Sequence, residues 1–100
     1  MDEAMKHFLI EITYTAPMTT IDAILSEHRN FLQTGYDAGM LLCSGPQNPR
    51  TGGIIIARGE SLGAVQNFFM NDPYQKNNAA TYRFVEFSPV KHQPFLKDWV

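Results

Sequence analysis

Residues 19–39 read TTIDAILSEHRNFLQTGYDAG, and the spacing of their apolar side chains decides the architecture around them. Ile21, Ile24, Leu25, Phe31 and Leu32, with Gly35 next, recur at intervals of three and four. That periodicity predicts a long helix with one buried face, running to about Asp37 or Ala38. His28 stands inside the stripe, seven residues after Ile21 and one turn before Phe31 and Leu32, where the pattern asks for another leucine. Glu27, Arg29 and Asn30 fall to either side, as solvated flanks should. Thr19 is the expected N-cap, Asp22 an acid suited to the first turn, and Gly39 a residue suited to a left-handed C′ position.

Outward from this helix the periodicity changes. Upstream, Lys6 to Tyr14 (KHFLIEITY) alternates, with Phe8, Ile10, Ile12 and Tyr14 on one side and His7, Leu9, Glu11 and Thr13 on the other, which predicts a strand. Downstream, Met40 to Ser44 predicts a short apolar strand ended by Gly45-Pro46. Gln47 to Gly53 is rich in turn formers and predicts a loop. Gly53 to Arg58 (GIIIAR) predicts a buried strand that closes a hairpin. Ser61 is the expected N-cap of a second helix with apolar face Leu62, Val65, Phe68 and Phe69, which stops before Pro73. Thr81 to Ser88 predicts the last strand. The order β-α-β-β-α-β is the ferredoxin-like α+β arrangement, four antiparallel strands with two helices on one face. The first strand and GIIIAR are apolar on both faces, and two helices cover only one. The other face is therefore expected to pair with a second copy, sheet to sheet in a homodimer, with the Trp99 tail wrapping across.

The bulk composition narrows the function classes. One hundred residues, 44% hydrophobic and 18% charged, suit one globular domain over 1–100 with a loose N-terminus at 1–5 and a tail at 89–100. No apolar run approaches the roughly 18 residues of a membrane span. The acidic start MDEAMK is not a signal peptide, and the lone Cys43 fits a reducing compartment, so a cytoplasmic location is expected. Net charge is −2, with the eight basic residues scattered, which argues against nucleic acid. There is no HxH, HxxxH or CxxC pair and no phosphate-cradling glycine loop, so neither a metal nor a cofactor is expected.

Taken on the residues alone, each candidate has a plain structural reading. His28 reads as a core histidine satisfied by backbone carbonyls or a hydroxyl. Asp72 before Pro73 reads as the cap of a short turn through Lys76. Tyr74 reads as packing, Ser44 as a turn former, and Cys43 as an inert core thiol.

The combination of a mid-helix histidine (His28), Gly45-Pro46 after the second strand, Gly52-Gly53 opening the third, and Asp72-Pro73-Tyr74 after the second helix resembles the YciI-like, or YCII-related, family. It does so in element order and length from Lys6 to Ser88. The resemblance implies a dimeric α+β barrel of the muconolactone-isomerase type, with a histidine–aspartate pair falling on His28 and Asp72. It also implies a pocket bordered by Ser44, Gly45, Pro46 and Tyr74. An imidazole oriented by a carboxylate suits general acid/base chemistry on a small organic molecule, of isomerase, lyase or hydrolase type. The pocket is expected between the first helix and the sheet, lined by Phe, Ile and Tyr. The alternatives are a non-catalytic ligand-binding or accessory module of the same barrel, and a cofactor-free oxygenase.

Overall fold

The computed structural model describes residues 5–100, so all but Met5 of the expected loose N-terminus lies outside the described residues. The elements are β1 (Lys6–Tyr14), α1 (Met18–Asp37), β2 (Leu41–Pro46), β3 (Gly52–Gly59), α2 (Leu62–Phe69), α3 (Pro73–Lys76) and β4 (Ala80–Phe87), followed by a 3-10 turn at Pro94–Leu96. The strands form one antiparallel sheet in the order β2-β3-β1-β4, the ferredoxin-like arrangement.

Alternation along β1 sorts the residues into two faces. Phe8, Ile10 and Ile12 are buried and align with Ala57, Ile55 and Gly53 of β3 and with Glu86, Phe84 and Tyr82 of β4. Against this face α1 buries Ile21, His28, Leu32 and Gly35, and α2 buries Val65 and Phe69. On the opposite face Leu9, Ile54, Ile56 and Val85 are half-buried. The Trp99 tail lies against this face of its own chain. The Trp99 carbonyl accepts from Arg58 Nη1 at 2.8 Å, and its ring lies 5.1 Å from the Arg58 guanidinium and edge-on to His7. Cys43 pairs with Ile56 on the same face and is exposed, so it is not the core thiol its aliphatic neighbours suggest.

Element ends depart from the sequence reading where proline governs them. α1 starts at Met18, because Pro17 fixes φ at −59° and its carbonyl accepts from the amides of Thr20 and Ile21. Thr19 is thus inside the first turn and makes no cap, and Asp22 lies beyond it, bonded instead to Arg50. Gly39 does take the left-handed position, with φ +74°. Gly45-Pro46 continues β2 instead of ending it, pairing with Ile54 and Gly53. β2 is an edge strand, where a proline without an N–H is tolerated. Ser61 caps α2 as expected, its hydroxyl accepting from the Ala64 amide.

Candidate active site

Asp72 is the N-cap of α3, in an extended conformation that lets Pro73 open the helix. Its Oδ1 accepts from the Tyr74 amide at 3.0 Å, the bond of an ordinary cap. The same oxygen accepts from His28 Nδ1 at 2.8 Å, and Oδ2 accepts from the Tyr82 hydroxyl at 2.6 Å. The carboxylate is wholly buried, and these three donors replace the water it has lost. The cap reading and the histidine contact are therefore both present in one side chain.

His28 sits in the middle of α1, 8% exposed, where the helix passes α3. Because Nδ1 faces Asp72, a neutral imidazole carries its proton there, and Nε2 has no hydrogen-bond partner among the described residues. The Tyr74 ring stacks on the imidazole, centroids 4.0 Å apart and planes inclined by 16°. That contact fixes the ring from the side while Asp72 holds it from the end. Burial, reinforced by the Asp72 carboxylate, pushes the Tyr82 phenol well above its ordinary range. Burial also raises Tyr74, with Tyr14 adding to the effect and the Arg50 charge opposing it.

His28 lines a cleft of about 390 Å³ between α1 and the sheet, open to solvent. Ser44, Gly45, Pro46 and Tyr74 line the same cleft, so the structure brings all six sequence-named residues to one place. Ser44 shares a 2.6 Å hydrogen bond with Tyr36. The apolar wall is Ile12, Ile55 and Leu32 with Tyr14; the phenylalanines expected there pack elsewhere, Phe31, Phe68 and Phe69 forming a stacked and edge-on cluster between the helices. Two residues at or behind this cleft escaped the sequence reading, Tyr82 and Arg50; Arg29, exposed as a solvated flank of α1 should be, also lines it. In a strand the hydroxyl of Tyr82 leaves no mark on the alternation that already marks its ring as core-facing. Arg50 lies in a turn-rich loop without periodicity. Among the described residues no group of three or more His, Cys, Asp or Glu side chains is placed to hold a metal.

A family model for the YCII-related domain matches residues 5–88. The chain belongs to the YCII-related family. No curated protein matches the sequence. Among solved structures the chain is similar to 5-chloro-2-hydroxyhydroquinone dehydrochlorinase (TftG) from Burkholderia phenoliruptrix AC1100, in complex with 2,5-dihydroxybenzoquinone. The two share 20% identity over 89% of this chain and 97% of that one, with a TM-score of 0.69. At that identity the likeness establishes the α+β fold of this family member and no more.

Proposed function

We propose that this protein is a small-molecule enzyme in which His28 transfers a proton at Nε2 and Asp72 holds the ring in the required tautomer. One observation carries the reading: His28, held at 2.8 Å by the buried Asp72 behind it, forms part of the wall of a cleft open to solvent. A merely structural histidine would sit in a closed core with its nitrogens bonded to backbone, and among the described residues neither ring nitrogen of His28 is bonded so. In the proposed cycle Nε2 removes a proton from the substrate, and the resulting imidazolium is stabilised by the buried carboxylate at Nδ1 and by the Tyr74 face. Returning the proton elsewhere on the same molecule gives isomerisation, and expulsion of a leaving group gives elimination. The dehydrochlorinase neighbour supports the second, since loss of hydrogen chloride from a hydroxylated ring is an elimination.

The working unit is proposed to be a homodimer joined through the outer sheet face, where Leu9, Ile54, Ile56 and Val85 make a half-buried row. The test is a screen of halogenated hydroquinones, enol acids and lactones, following halide release and ring absorbance. Turnover in the wild type and a loss of about 10²–10⁴-fold in a folded His28→Gln variant are expected. Equal rates in the two proteins would refute the assignment, and the ligand-binding-module reading would take its place.

A further inference from the structure

The charges around the cleft run against those of the chain. The sequence has ten acidic and eight basic residues. Yet among the described residues the charged side chains lining the cleft beside His28 are Arg29 and Arg50, and no carboxylate lines it. Asp72, behind His28, is wholly buried. Arg50 reaches in from the loop between β2 and β3, its guanidinium 5.8 Å from the centre of the Tyr14 ring. Its Nη1 donates to Asp22 Oδ1 of α1 at 2.8 Å, an ion pair with both side chains more than a third exposed. Such a pair is weakly held and yields to a better-placed anion.

A second, independent feature lies in the same wall. Tyr74 lines the cleft, and its buried hydroxyl has no hydrogen-bond partner among the described residues. Tyr14 meets the Tyr74 ring edge-on at 5.7 Å. A buried donor left without an acceptor is costly, and an oxygen anion entering beside it would remove the cost. The Arg50 charge already acts on this phenol, against the larger upward push of burial and Tyr14. One incoming oxygen group can thus be served by a guanidinium fork and by a phenol.

We propose that the substrate of this cleft carries an anionic oxygen group, a carboxylate or an acidic enol or phenol, which Arg50 binds in exchange for Asp22 while the Tyr74 hydroxyl donates to it. The word substrate rests on the acid/base reading above; the anion site does not. Asp22 is then a built-in competitor that occupies Arg50 while the cleft is empty.

Calorimetry and amide NMR with benzoate and 4-hydroxybenzoate, against benzamide and 4-hydroxybenzamide, test this on the intact chain. The carboxylates are expected to bind at least about tenfold more tightly than the amides, to weaken with salt, and to shift the signals of Arg50, Tyr74 and His28. Asp22→Asn should tighten carboxylate binding about two- to fivefold and leave the amides unchanged, an effect that a merely structural ion pair would not produce. Arg50→Gln should reduce the carboxylates to the level of the amides. Carboxylates and amides binding alike, no carboxylate binding at millimolar concentration, or an unchanged affinity in Asp22→Asn would overturn the proposal. Carboxylate preference that persists in His28→Gln separates the two readings. If no turnover is found, the anion site stands and the acid/base assignment falls; if turnover needs His28 but charge is not discriminated, the reverse holds.

Discussion

A histidine on a buried helical face is costly unless its nitrogens find partners, and Asp72 supplies one while the cleft exposes the other. Both residues were legible in the sequence, His28 because a titratable ring interrupted an apolar stripe and Asp72 because Asp-Pro opens a short helix. Their own patterns do not say that they meet, since the two lie 44 residues apart; only the family resemblance paired them, and the packing of α1 against α3 joins them. Tyr82 was invisible for a simpler reason: on the inner face of β4 its ring looks like any core aromatic. Its hydroxyl nonetheless holds Asp72 Oδ2, so Tyr82→Phe should lower stability by about 1–3 kcal/mol in urea unfolding, leaving a buried acceptor without a donor. The same phenol makes stability depend on alkaline pH. Burial and the Asp72 carboxylate raise the folded pKa of Tyr82, and burial raises that of Tyr74, above the unfolded value of about 10. Above that pH the unfolded chain releases protons that the folded chain keeps, so stability is full below about pH 10 and falls as pH rises further. Urea midpoints between pH 8 and 11 should show the fall, and Tyr82→Phe should show a shallower one.

At the scale of elements, hydrophobic periodicity located every strand and both long helices, while turn chemistry misplaced their ends. Pro17 and Pro46 account for most of the difference. The first starts α1 earlier than Thr19 would, and the second is accommodated at a sheet edge that no local pattern reveals. Extending β2 through Gly45-Pro46 has a functional effect, because it carries those residues along the cleft wall. Gly35 shows why one position of the α1 stripe must be small. A Cβ there would lie 2.8 Å from Leu41 of β2 and 2.9 Å from the Phe68 ring of α2. Gly35→Ala is therefore expected to destabilise by about 1–3 kcal/mol, overpacking outweighing the gain in helix propensity. Thermal unfolding measures this, and a rise in Tm would show that the three elements can move apart freely.

For the whole molecule, the sequence implied more apolar sheet surface than two helices can cover. Part of that surface is taken by the chain's own tail, through Trp99 against Arg58 and His7. The rest, around Leu9, Ile54, Ile56 and Val85, is the surface assigned above to a second copy. Sedimentation equilibrium should find a dimer, and Ile56→Lys should yield folded monomers, since a desolvated lysine at the centre of that row has no partner. A dimer unaffected by Ile56→Lys would move the interface elsewhere. The cleft opens on the other face of the sheet, so the His28 site should keep its geometry in the monomeric variant.

The central claim is that Asp72 holds His28 with its proton on Nδ1 and presents Nε2 to the cleft as the reacting nitrogen. Long-range proton–nitrogen NMR of the ¹⁵N-labelled imidazole, at a pH where His28 is neutral, reads that tautomer directly. An Nδ1–H ring whose Nε2 signal responds to ligands in the cleft is the expected result. A neutral ring carrying its proton on Nε2, or an Nε2 signal indifferent to every ligand that enters the cleft, would contradict the assignment.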